Sequence, residues 1–219
     1  MKVFIIWLSF VLGTSFFLSS PSSAQPLKID TSASKVTVHV YKAGLFSAFG
    51  DNHTIAAPLA SATLDTEKRS VELTFKVKDM KVEDPGSNDS KRQQVESNMK
   101  GEKVLDGARF PEIKFVSTSV EQQGGTNYLV HGNLSLHGTT KPVNVPVSFK
   151  DGQDKDGQNK AGQDKDGSDK AGHYSGTVKL KQTDFGITPI TIAGGAVKVK
   201  DVIEIDFDIV TTPSSSAQR

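Results

Sequence analysis

Ile203-Glu204-Ile205-Asp206-Phe207-Asp208-Ile209 alternates apolar and acidic side chains without a break. Successive side chains of an extended strand point to opposite faces, so this period of two reads as a β-strand with one buried and one wet face. The same alternation runs outward along the chain. Val36, Val38 and Val40 share a side against Thr37, His39 and Tyr41, and Val71, Leu73, Phe75 and Val77 alternate with Glu72, Thr74 and Lys76. Further stripes follow at Ile113 and Phe115, at Tyr128 and Val130, and at Leu134 and Leu136. Val143, Val145, Val147 and Phe149 form another, as do Val178 and Leu180. The stretch from Thr54 to Leu64 is rich in small residues and carries Pro58, which reads as an edge or bent strand.

Gly124-Gly125, His137-Gly138 and Gly194-Gly195 each separate two alternating runs, supplying the positive φ that tight hairpins need. At His137-Gly138 the glycine is expected to take the unusual dihedral, with the imidazole bonded to a nearby carbonyl. Short strands at this spacing build a closed barrel or a sandwich. One segment leaves the pattern. Ser90-Lys91-Arg92-Gln93 has the form of a capping box, with Val95 and Met99 four apart behind it, which predicts a short helix from about Ser90 to Met99. That helix is expected to cover one end of the strand layer.

Composition narrows the chemistry. The 219 residues contain no cysteine, which excludes disulfides, thiol nucleophiles and cysteine-ligated metals. A formal charge of +1 gives no basic footprint for nucleic acid. Lys2 followed by the mostly apolar run Val3–Leu18 and the small residues Ser22-Ser23-Ala24 reads as a secretory signal cut after Ala24, too short for a stable membrane span. Export without cysteine fits a bacterial periplasm, or secretion. Residues 25–219 then form one domain, interrupted at 151–172 by four copies of a pentapeptide beginning Asp151-Gly152-Gln153-Asp154-Lys155. With no large apolar side chain to offset its ordering entropy, this insert reads as a disordered loop between adjacent strands rather than a calcium site.

Three groups are candidates for polar chemistry. Asp51-Asn52-His53 could share a metal or orient an imidazole, although a self-capping turn is the plainer reading. Arg92 and Arg109 border the helical patch, where a guanidinium could meet an anionic or carbonyl head group. The alternative for both is an ordinary surface ion pair, with Glu96 or Glu112.

Several motifs together resemble one family. Val104-Leu105-Asp106, Arg109-Phe110-Pro111-Glu112-Ile113-Lys114-Phe115 and Ser117-Thr118-Ser119 are similar to the central signature of the YceI-like exported barrels. The stretch from Gly132 to Val143, Asp184-Phe185-Gly186-Ile187 and Asp201-Val202-Ile203-Glu204-Ile205 match its hairpin and C-terminal patterns. The resemblance implies an all-β fold, an antiparallel lipocalin-like barrel of about eight strands with the short helix at one end. It also implies a polyisoprenoid lipid, such as a prenyl quinone or prenyl phosphate, held inside. The insert at 151–172 and the helix region depart from the family pattern.

The expected ligand wall is then Val38, Val40, Leu73, Phe75, Phe115, Val145, Val147, Leu180, Ile205 and Phe207, with Arg92, Arg109 and His53 as head-group candidates. The expected role is carriage or storage of an apolar lipid without catalysis, cofactor or metal, with a homodimer as the assembly to test. The alternatives are a metal- or histidine-dependent enzyme acting on a lipid-like substrate, and a stress-related interaction protein recruiting partners through the insert.

Overall fold

The computed structural model describes residues 27–43, 52–151, 171–192 and 197–214. The expected signal segment, Asp51, the Gly194-Gly195 turn and nearly all of the pentapeptide insert lie outside them.

In chain order the described strands are β1 (Leu27–Val40), β2 (Lys42–Ala43), β3 (His53–Ala56), β4 (Leu59–Asp65), β5 (Ser70–Lys76) and β6 (Lys81–Val82). Helix α1 (Asp89–Lys100) follows, then β7 (Glu112–Gly124), β8 (Asn127–Leu136), β9 (Thr139–Asp151), β10 (Gly172–Lys181), β11 (Thr191–Ile192), β12 (Val197–Val199) and β13 (Val202–Pro213). Ten strands form one antiparallel sheet in the order β4-β5-β7-β8-β9-β10-β13-β1-β3-β6, and β11-β12-β2 form a small second sheet.

The large sheet curls back on itself through one bent strand. β3 pairs with the end of β1, β4 pairs with β5, and the Ala57-Pro58 corner joins them, with Ala57 N–H donating to Val36 C=O at 2.9 Å. Pro58 has no N–H to give a ladder, which is why the strand breaks there. Counting β3 and β4 as one bent strand, the wall consists of β1, β3/β4, β5, β7, β8, β9, β10 and β13, the barrel of about eight strands that the family resemblance implies.

Two inward phenylalanines are held flat against this wall. A Cβ on Gly132 would lie 2.5 Å from the Phe115 ring, and one on Gly176 would lie 2.7 Å from the Phe207 ring. Each ring occupies the space that a strand glycine leaves empty, so it covers backbone instead of projecting across the interior.

The buried core is concentrated at one end. Ile55, Val77, Met80, Val82, Met99, Leu105, Leu136 and Phe185 pack there beneath α1. Val77 was expected to continue the β5 stripe, but the chain leaves the strand at this point as a 3₁₀ turn, Val77–Asp79, and Val77 becomes one of the most buried residues of the protein. Toward the middle of the barrel the inward residues Val36, Val38, Phe75, Leu134 and Leu180 are only partly buried. Each packs against the core on one side, and the accessible surface it keeps faces open space on the other.

The helix begins one residue earlier than expected, and its cap is different. Asn88 is the N-cap, its Oδ1 accepting from Lys91 N–H at 2.8 Å, so Ser90 sits inside the first turn and the expected capping box does not form. Asn is at least as good a cap as Ser, and the earlier residue takes the role. Glu96 fastens α1 to β6 by accepting from Val82 N–H at 3.1 Å, and within the helix it also accepts from Lys100 Nζ at 3.1 Å. Burial alone would raise the Glu96 carboxyl, but these bonds and the charges of Lys100 and Lys81 outweigh it and hold it below the ordinary value.

Candidate functional site

Among the described residues two cavities open inside the barrel, of about 230 Å³ and about 410 Å³. Val36, Phe75, Leu134, Leu180 and Ile205 line both, forming a belt where the cavities meet. The two therefore lie end to end along the tube that the barrel encloses and share this stretch of its wall. Individually each is close to the size range of small-molecule sites.

Every wall residue expected from the sequence faces this tube. Leu73, Phe115, Val145, Val147 and Phe207 line the smaller compartment, Val38 and Val40 the larger, and Phe75, Leu180 and Ile205 the belt. Period-two alternation places them there, because residues of one parity on each strand share the concave face.

The two compartments differ in chemistry. The smaller has an almost wholly apolar lining, with Tyr128, Tyr174 and Arg69 toward its outer end. The larger opens beside α1, where Lys42, Lys91, Lys181, Lys198, Gln94 and Asn98 join the apolar lining and no aspartate or glutamate does so among the described residues. The rim at the helix end is thus cationic and rich in hydrogen-bond donors.

His53 lies in that rim. Its Nδ1–H donates to Asp84 Oδ2 at 2.6 Å, and Asp84 Oδ1 accepts from Thr54 N–H at 2.7 Å. Asp84 is buried and His53 mostly so. The carboxylate fixes the ring's orientation and, in the neutral imidazole, leaves the lone pair on Nε2. The acidic partner of His53 is therefore Asp84, distant in sequence, while the adjacent Asp51 lies outside the described residues. Asp84 carries no local motif, and only the β3–β6 pairing brings it to the histidine.

Neither arginine candidate lines a compartment. Arg92 is drawn back along its own helix, where its guanidinium contacts Asp89 and the Ser87 carbonyl. Arg109 pairs with the buried Asp106 at 3.3 Å and lies over the Phe110 ring. Both are local ion pairs, although with partners other than Glu96 and Glu112. Among the described residues the lysine and arginine side chains that do reach the interior are the rim lysines and Arg69, which no sequence motif distinguished from other surface charges.

The remaining histidines have structural partners. His39 pairs with Asp206 at 3.0 Å and His173 with Asp208 at 3.0 Å on the outer face. His131 Nδ1 lies 2.8 Å from Asn144 Oδ1. His137 Nδ1–H donates to the Phe185 carbonyl at 3.3 Å, as its turn suggests, but His137 shares the left-handed conformation with Gly138, at φ 50° and 74°. A two-residue hairpin of this type needs positive φ at both central positions. Among the described residues no group of three or more His, Asp or Glu side chains could hold a metal ion.

Fold and site together define an antiparallel β-barrel built around an apolar tube with one polar rim. The sequence model of the YceI-like domain matches residues 27–211, and the chain belongs to that family. A UPF0312 protein of Pseudomonas putida (strain W619) is 30% identical over 185 residues, covering 80% of this chain and 83% of its own length. A UPF0312 protein of Shewanella sp. (strain W3-18-1) is 27% identical over 190 residues, covering 82% of this chain and 86% of its own. Among solved structures, BcnA of Burkholderia cenocepacia shares the fold with a TM-score of 0.59 at 22% identity, over 84% of this chain and 99% of that one. The Campylobacter jejuni YCEI protein has a TM-score of 0.51 at 14% identity, over 73% and 85%.

Proposed function

We propose that this protein binds one apolar lipid of the polyisoprenoid type inside its barrel and carries or stores it, without catalysing a reaction. The observation that supports this reading best is the shared belt, which sets two largely apolar compartments end to end, so that a branched tail crossing it would occupy both. Each buried methylene contributes ~0.8 kcal/mol, so a few isoprene units outweigh the costs of association. Apolar burial has no direction, so the tail is selected by shape and length, and orientation falls to the polar rim. A head group that is anionic or strongly accepting, such as a phosphate or a quinone carbonyl, suits the rim lysines, Gln94, Asn98 and His53. The tail then passes the belt into the smaller compartment.

Reading Met1–Ala24 as an export signal, we propose that this takes place in the periplasm or outside the cell. Among the described residues no helix is long and apolar enough to cross a membrane. The test is native mass spectrometry of protein purified from periplasm, followed by organic extraction. The expected result is a one-to-one complex that yields a prenyl lipid on extraction. Protein that carries no lipid and takes none from isoprenoid-loaded vesicles would overturn the proposal.

A further inference from the structure

We propose that the lipid enters and leaves sideways, through a window in the barrel wall between β9 and β10; this rests on the reading of the lumen as a lipid site. β9 is fully paired with β8 from Thr139 to Ser148, and β10 is fully paired with β13. Between β9 and β10, however, the ladder covers only Ser148–Asp151 against Gly172–Ser175. The stretches Thr139–Val147 and Gly176–Lys181 run on as strands without pairing to each other.

The sequence supplies the reason. Phe149 N–H points to β8, where it donates to the Thr126 carbonyl at 2.8 Å, so the even-numbered residues of β9 turn their nitrogens toward β10. Positions 142 and 146 are both proline, which removes two of the donors that would have zipped this edge. At 146 the strands also crowd, since a Cβ on Gly176 would lie 2.1 Å from the Pro146 carbonyl oxygen. The wall is therefore closed at Gly176 and Pro146, and again at the barrel end, where His137 bonds to the Phe185 carbonyl. Between these two closures, Val143 and Val145 on one side and Val178 and Leu180 on the other face the lumen and are only half-buried. The outer rim carries Asn144, Lys179 and Lys181, all exposed. An apolar tail meets the lumen directly here, beside the belt, while a polar head can follow along a wet rim. The seam between the start of β1 and β4 also lacks a ladder, and Ile29 and Leu64 face the lumen there half-buried. But Leu27 and Leu59 are buried near its two ends and no proline lies within either strand, so the paired prolines of β9 set its seam apart.

The absence of cysteine makes a clean test possible. Continuing the register from Ser148 opposite Ser175 sets Asn144 opposite Lys179, and N144C with K179C places two thiols across the window. A disulfide needs their Cα atoms within about 7 Å and so locks the wall shut; where none forms, a short bismaleimide bridges the same thiols. All-trans-retinol, a fluorescent isoprenoid, serves as the probe. Uptake and release are expected to slow by about ten-fold or more in the locked form, with the same final amplitude and recovery on reduction of the disulfide. Unchanged rates in the locked form would overturn the window. Failure of retinol and of longer prenyl alcohols to enter even the reduced form would instead overturn the lumen reading, and the loading route with it. A measurement independent of lipid is amide exchange along β10. The Thr177 and Lys179 amides face β9 and are expected to exchange much faster than Gly176 and Val178, which face β13. Equal protection at all four positions would show a zipped wall and overturn the window while leaving the lipid reading standing.

Discussion

The two ends of the tube are built from the same strands, yet they solve different problems. At the far end, alternating Val, Leu and Phe residues leave an apolar space with little to fix a ligand's position. At the helix end, a packed core beneath α1 supports a rim of lysines, amides and a histidine held by Asp84. A lumen of uniform chemistry would hold a hydrocarbon in either direction. On the proposed reading the polar rim breaks that symmetry, and the hydrophobic end supplies the affinity.

The strongest challenge to this division is to block the belt that joins the two ends. Ile205→Trp is expected to reduce affinity for a long prenyl lipid at least about 100-fold, roughly 2.7 kcal/mol, as read by fluorescence titration. In a filled core the same overpacking would cost ~1–3 kcal/mol of stability; in a hollow tube the melting temperature should hardly move. A large loss of stability with no change in binding would show that the ends do not communicate.

Asp84→Ala tests the polar end alone. It leaves the Thr54 N–H without its acceptor and releases the His53 ring, at an expected cost of ~1–3 kcal/mol in urea unfolding. Binding of head-bearing lipids should weaken by about ten-fold, whereas that of a prenyl hydrocarbon lacking a head should barely change. Equal weakening of both would remove the distinction between the ends.

The smallest effect concerns the fastening of α1. Because the Glu96 carboxyl is held below its ordinary value in the folded state, the unfolded chain takes up the proton first on acidification. Its contribution is therefore fully present above the ordinary glutamate range and is lost as pH falls through the lower folded value. Wild type should exceed Glu96→Gln by less than about 1 kcal/mol near neutrality, with the difference vanishing in acid. Amide exchange should report the loosening in α1 but not at the Gly124-Gly125 turn.

Most of the wall was readable from alternation, because a strand's parity assigns a face whatever its neighbours are. That is why Leu73, Phe115 and Phe207 could be placed before any pairing was known. The two arginines show where such reading stops. Arg92 and Arg109 sit beside the right element in sequence, but a long flexible side chain goes to its best nearby partner, here Asp89 and Asp106. Asp84 shows the converse: its role depends on β6 lying next to β3, a contact that no local pattern announces.

From the amino-acid order alone came most of the long strands, their inward faces, the break at Pro58 and the Gly124-Gly125 and His137-Gly138 turns. All of these are local consequences of backbone geometry and side-chain volume. Tertiary structure decided that the inward faces enclose a space instead of meeting, that His53 answers to Asp84, and that β9 and β10 part company midway. Those outcomes depend on which surfaces come together across the barrel, and hydrophobic burial, having no direction of its own, leaves that choice to the closure of the sheet as a whole.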